Sequence, residues 1–138
     1  MMSTRKTLLV ASLVLAMLPG SVASLAASGD IWLADFYLFR VRTAAGGYTI
    51  DQRADALQIR ANDLLQVERQ IPPVTLGKAG SDVNIYAGCK LFVTVTTADA
   101  IANDTTVDHL AKMWAQRLRM TLPLAAAYKP GIGTCPTM

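Results

Sequence analysis

The 138-residue sequence carries 13 Lys and Arg against 10 Asp and Glu, with 52% apolar residues and a mean hydropathy of +0.33. That length supports one domain with its own core and is short for two. Arg5 and Lys6 both precede an uncharged apolar run, and without them the balance is 11 basic to 10 acidic residues, too even for the basic stripe that nucleic-acid binding requires.

The run from Leu8 to Leu18, followed by Pro19-Gly20 and the small residues Ser21-Val22-Ala23, has the form of a secretory signal peptide over residues 1–23. Cleavage is expected after Ala23 or Ala26, which makes the protein periplasmic or extracellular. An uncleaved anchor is the alternative, since Leu8 to Ala27 has the length of a membrane span. No cysteine stands directly after the run, so a lipid anchor is not expected.

Gly29 to Thr43 is dense in aromatic and branched residues and reads as one extended strand. One parity holds Ile31, Leu33, Tyr37, Phe39 and Val41; the other holds Trp32, Ala34, Phe36, Leu38, Arg40 and Arg42. Both faces begin apolar. The strand is therefore covered on both sides, presents Trp32, Phe36 and Leu38 to a partner with Arg40 and Arg42 at the rim, or turns tightly at Ala34-Asp35. Gly46-Gly47 breaks it. Thr49-x-x-Gln52 forms a capping box for a helix whose stripe is Ile50, Ala54, Leu57, Ala61, Leu64 and Leu65, with Arg69 near its last turn and Pro72-Pro73 beyond it.

A strand from Val74 to Leu76 and a hairpin follow. Val83, Ile85, Leu91, Val93 and Val95 share one parity, and Asn84, Tyr86, Lys90, Phe92, Thr94 and Thr96 the other, so Tyr86 and Phe92 are expected on the open face. Matching the apolar faces pairs Val83 with Val93, Ile85 with Leu91 and Tyr86 with Lys90. Thr97 to Asp104 connects to a second helix, with room for one helical turn at Ala98–Ala102. Thr105-x-x-Asp108 caps that helix, its stripe is Val107, Leu110, Ala111, Trp114, Leu118 and Leu122, and Pro123 ends or kinks it. The last residues, 126–138, form an irregular tail.

Cys89 and Cys135 are the two cysteines, and in an oxidising compartment they are expected to pair. The bridge would close a loop of about 47 residues and contribute roughly 4 kcal/mol by the chain-entropy relation. Their wide spacing lacks the Cys-x-x-Cys form of a redox pair.

No catalytic constellation emerges, and no enzyme, cofactor or metal is expected. The densest cluster, Asp104, Asp108 and His109, sits at a helix start, where acidic side chains stabilise the dipole without further chemistry. The helix dipole accounts for Asp51 and solvent for Asp55, and Gly46-Gly47 and Gly131-x-Gly133 lack the context of a phosphate loop.

The run Phe39 to Ala54, with Leu57 and Leu64-Leu65, then Val93 to Ala100 and Leu110 to Leu118, resembles a small exported bacterial envelope domain. Similar domains form the extracytoplasmic N-terminal region of some proteins of the small-conductance mechanosensitive channel family. The resemblance covers Asp30 to Leu122 and implies an envelope role, without pore helices or catalytic residues.

The expected fold is α+β and two-layered: a small antiparallel sheet in the order β-α-β-β-β-α, with two helices packed on one face, over residues 30–125. The expected function is a non-catalytic exported envelope module that binds a protein partner or itself. Its surface would be Trp32, Phe36, Leu38 and Arg40, or the sheet face around Tyr86 and Phe92, and strand addition at an edge is one route. A periplasmic lipid or small-ligand binder is the alternative, with a membrane surface as a further candidate partner.

Overall fold

The computed structural model describes residues 29–67 and 71–126. It is an α+β domain with two small antiparallel sheets and helices packed against them. The elements in order are β1 (Asp30–Leu33), β2 (Phe36–Arg40), α1 (Ile50–Val67), β3 (Val74–Ala79), β4 (Asp82–Ala87), β5 (Lys90–Val95), α2 (Thr97–Ala102) and α3 (Val107–Ala126). β1 and β2 form one sheet, and β3-β4-β5 form a meander. Helix α1 packs on β1 and β5, while α3 crosses β2, β3 and β4 and joins the two sheets through one core.

The single strand expected from Ile31 to Val41 is instead a hairpin. Leu33 faces Phe36 across a two-residue turn at Ala34-Asp35, and Ala34 takes a positive φ of 51°. Folding the segment back gives both apolar faces somewhere to go. Gly29 closes its base: the Val41 N–H donates to the Gly29 carbonyl at 2.8 Å, and a Cβ on Gly29 would meet the Val41 oxygen at 2.1 Å. Only glycine fits that approach.

Each sheet carries a bulge, and each bulge turns an extra apolar residue inward. Between β1 and β2, Ile31 pairs with Phe39 but Trp32 pairs with Tyr37, so Leu38 is the unpaired residue. Between β4 and β5, Ile85 pairs with Val93 but Tyr86 pairs with Leu91, which leaves Phe92 unpaired. A bulge sets two residues opposite one and rotates the strand locally, so neighbours Leu38-Phe39 and Phe92-Val93 all enter the core. The expected hairpin pairing is thereby displaced: Val83 faces Val95, Asn84 faces Thr94, and Ala87 faces Lys90 across Gly88-Cys89. Leu91, expected inside, is exposed. Phe39 stacks on Trp114 with ring centroids 4.1 Å apart and meets Phe92 edge-on at 6.2 Å, which locks β2, β5 and α3 together.

The helices follow their caps. For α1 the reciprocal box is present: the Thr49 N–H donates to Gln52 Oε1 at 3.0 Å, and the Gln52 N–H donates to Thr49 Oγ1 at 3.3 Å. Ala54, Leu57, Ala61 and Leu64 are buried, and so is Arg53, which the apolar stripe did not include. A second box starts α2, with Thr96 Oγ1 accepting from the Asp99 N–H and the Asp99 carboxylate accepting from the Thr96 N–H. The cap of α3 is Thr106 rather than Thr105, since Thr106 Oγ1 accepts from the His109 N–H at 3.3 Å. Helix α3 also continues through Pro123 to Ala126. A proline there forfeits one hydrogen bond near the end of the helix, while Leu118, Leu122 and Ala125 stay buried on either side of it.

Candidate functional site

Four arginines and one glutamine project from the helices onto strand backbone. The Trp32 N–H donates to Gln58 Oε1 at 3.0 Å and Gln58 Nε2 donates to the Trp32 carbonyl at 2.9 Å, so one side-chain amide completes the open side of β1. On β5, Arg60 donates to the Phe92 carbonyl at 2.9 Å and Arg53 to the Thr94 carbonyl at 2.8 Å. Arg117 donates to the Leu38 carbonyl and Arg119 to the Val74 carbonyl.

Arg53 is also half of a buried ion pair. Its Nη1 and Nη2 lie 2.6 and 2.7 Å from the two Asp99 oxygens, Thr43 Oγ1 donates to the same carboxylate at 2.6 Å, and Arg53 reaches the Thr43 carbonyl at 3.1 Å. Burial alone pushes the Asp99 carboxyl up, but the hydrogen bonds from Arg53, Thr43 and the Thr96 backbone outweigh it and hold the group below the usual Asp value. This cluster ties the exit of β2, α1, β5 and α2 to one point, and its donors and acceptors are satisfied. It is a structural joint.

The open chemistry lies across the molecule, in a cleft of about 420 Å³ between β2, the α2–α3 connector and α3. Its floor is Phe39, Leu110 and Trp114; its walls are Tyr37, Arg40 and Arg42 from β2 and its exit, and His109, Met113 and Arg117 from α3. On α3 the wall residues recur every fourth position, one line along the helix. Asn103, Asp104 and Thr105 close one end, with Asp104 in a left-handed conformation at φ 50°. Ion pairs among the described residues join Arg40 to Asp30, Arg53 to Asp99 and Lys78 to Asp108. The Arg40 fork spans both Asp30 oxygens at 2.6 and 2.9 Å, and that hydrogen bonding holds the Asp30 carboxyl below its ordinary value. Arg42 and Arg117 have no carboxylate partner among the described residues. Arg117 lies 5.7 Å over the Tyr37 ring, and Tyr37 meets Trp32 edge-on at 5.4 Å. Trp32 and Tyr37 are 43% and 40% exposed.

The residues expected to bind separate into three groups. Trp32 is on the surface beside the cleft, and Arg40 lines it but is neutralised by Asp30. Leu38 at 0% and Phe92 at 1% exposure are core residues, a correction that follows from the two bulges, and Phe36 packs half-buried against the same core. Tyr86 lies on the open face of the other sheet, where its hydroxyl accepts from Asn84 at 3.1 Å and its ring covers Gly77, so close that a Cβ there would touch Cε2 at 3.0 Å. Tyr37, Met113 and Arg117 are cleft residues that sequence reasoning missed. Tyr37 shared a parity with core residues in an unbroken strand, and a turn at Ala34-Asp35 was the signal that would have moved it outward.

Of the acidic cluster before α3, Asp108 is paired with Lys78, which holds its carboxyl below the usual value, while Asp104 and His109 line the cleft. Among the described residues no three His, Cys, Asp or Glu side chains converge as metal ligands, and no helix is long and apolar enough to cross a membrane. Cys89 is exposed in the β4–β5 turn and is not a free thiol. Its expected partner, Cys135, the signal peptide, Arg69 and the 127–138 part of the tail lie outside the described residues.

Fold and cleft define a small α+β domain whose solvent-facing chemistry is cationic and aromatic. The chain belongs to the family described as "Domain of unknown function (DUF8459)", which matches residues 30–125. No curated protein and no solved structure matches it.

Proposed function

We propose that this protein is a non-catalytic interaction module of the bacterial envelope, exported by its leader, which binds a protein partner through the surface formed by the β1–β2 hairpin and the middle of α3. The observation that carries this reading is the exposed Trp32–Tyr37 pair with Arg117 over the Tyr37 ring, at the mouth of a cleft whose Arg42 has no counter-charge among the described residues. Aromatic residues and arginine dominate the energetic centres of protein interfaces, and folding does not require two large rings to remain this exposed. The resemblance to extracytoplasmic domains of channel-family proteins supports the envelope location. The disulfide between Cys89 and Cys135 belongs to the same proposal, supported by the absence of a free thiol at Cys89.

In-cell photo-crosslinking tests the surface. A photoreactive residue at Tyr37 or Met113 is expected to give a discrete heavier adduct, and one at Ile59, exposed on α1, is not. If all three positions gave the same pattern, or none gave an adduct, the surface would be ordinary solvent-facing protein.

A further inference from the structure

We infer that the β2–α3 cleft recognises an extended acidic segment of the partner, with two carboxylates four residues apart and one apolar side chain midway between them. The inference rests on the interaction-module reading and specifies the chemistry of the same surface.

The order of residues along the cleft sets the spacing. Tyr37 lies under Arg117, and Phe39 stacks on Trp114. Strand β2 therefore runs from the Arg117 end of α3 toward its start, which carries Arg42 toward Leu110 and His109, lining residues of the same cleft. Arg42 and Arg117 thus mark opposite ends. From His109 to Arg117 is eight helical residues, about 12 Å of rise. Arg40 between them is already matched by Asp30 and presents no net charge to a ligand. The centre is instead Met113 over the aromatic floor of Phe39 and Trp114, a deformable apolar seat.

An extended segment spans that length with about half the residues a helix needs. At about 3.3 Å per residue, a 12 Å separation corresponds to nearly four residues, and in an extended chain residues i, i+2 and i+4 point the same way. Carboxylates at i and i+4 then meet Arg42 and Arg117, and an apolar side chain at i+2 falls on Met113. Guanidinium groups suit this task because their planar fork takes a carboxylate by two parallel hydrogen bonds. Asp104, Asp108, His109 and Lys112 are the other titratable groups on or beside this stretch, and Asp104 at the connector opposes a third carboxylate beyond the Arg42 end.

The probe is the capped peptide Ser-Glu-Thr-Leu-Thr-Glu-Ser, titrated into the isotope-labelled full mature chain and followed by chemical-shift changes at the arginine Nε–H groups and methionine methyls. Saturable shifts at Arg42, Arg117 and Met113 are expected, with at least tenfold weaker binding when both Glu are Gln and when the two Glu stand two residues apart. Arg42→Glu should abolish binding, and a peptide with Lys in place of one Glu should restore it; the Arg42 side chain makes no hydrogen bond among the described residues, so this variant tests charge rather than folding. Equal binding of the Gln or the close-spaced peptide overturns the inference. If no peptide binds while crosslinking from Tyr37 and Met113 still gives an adduct, the acidic-segment chemistry fails and the interaction surface stands; loss of both results removes both.

Discussion

Asp99 and Arg53 provide the sharpest test of how the fold is held, because each is buried and each is the other's main counter-charge. Arg53→Met leaves the Asp99 carboxylate with Thr43 and Thr96 as its hydrogen-bond donors, and Asp99→Ala leaves a guanidinium facing only the Thr43 and Thr94 oxygens. Removing one partner of a buried pair costs about 3–5 kcal/mol, mostly through the stranded charge. Asp99→Ala also strips the reciprocal cap from α2, about 1 kcal/mol more. Against the roughly 5–15 kcal/mol typical of a domain, either single variant is expected to be close to unfolded at body temperature. The double variant leaves no stranded charge, so it should be more stable than the sum of the singles implies, by about 2–4 kcal/mol. Urea unfolding followed by circular dichroism reads this directly. With an m-value near 2 kcal/mol/M, a loss of about 4 kcal/mol moves the midpoint by about 2 M. Single-variant losses below about 1 kcal/mol, or strict additivity in the double, would refute the account of a coupled buried pair.

Three other outcomes follow from the same structure. Ala34→Gly should raise stability by about 0.5–1 kcal/mol, since the left-handed backbone costs an L-residue about 1–2 kcal/mol and glycine returns part of that in unfolded-state entropy; a lower melting temperature would count against the turn assignment. The Asp99 and Asp30 carboxyls are held below the ordinary Asp value near 3.9, so each stabilises the fold above that pH and loses its contribution as the pH falls through the lowered folded value. Melting temperature should therefore drop below about pH 4, and a wild-type profile flat from pH 5 to 2 would contradict it. For the disulfide, denatured but unreduced protein should show no reactive thiol, and reduction should cost roughly 4 kcal/mol; two titratable thiols would exclude the bridge.

The parts of this fold that obey a simple period could be read from the chain. The Thr49–Gln52 box, the stripe Ala54–Leu57–Ala61–Leu64 and the stripe Leu110–Trp114–Leu118–Leu122 are all where helical spacing puts them. What could not be read is where the strand period breaks. Leu38 and Phe92 each occupy an outward slot under strict alternation, and a bulge, which depends on the partner strand, turned both inward. Arg53 was hidden for a related reason: as a charge it was left out of the α1 stripe, though its position, between Ile50 and Leu57, lies on the buried side, and its partner Asp99 is 46 residues away. The cleft was the least legible feature. Arg42 and Arg117 are 75 positions apart, and only the crossing of α3 over β2 brings them to one surface.

Along β1 and β5, side chains of α1 oppose recognition by strand addition, although a sheet edge first suggested it. An incoming strand must find unpaired backbone groups in register. On β1 the Trp32 amide and carbonyl are both occupied by Gln58, and on β5 the Phe92 and Thr94 carbonyls are occupied by Arg60 and Arg53. A partner would have to displace these side chains, two of them charged and one part of the buried joint. The same device acts differently on α3. Arg117 spends one nitrogen on the Leu38 carbonyl at the bulge and sits over the Tyr37 ring, so closing the backbone at that point places the remaining guanidinium donors at the cleft mouth. Protection of the strands and presentation of a cationic, aromatic surface are thus two consequences of one arrangement. Arg117→Lys separates them: an ammonium retains the charge and can reach the carbonyl, but it loses the planar fork and its bidentate geometry. Stability should change by less than about 1 kcal/mol while crosslinking from Tyr37 falls severalfold, and an equal loss of both would mean that the arginine serves the fold alone.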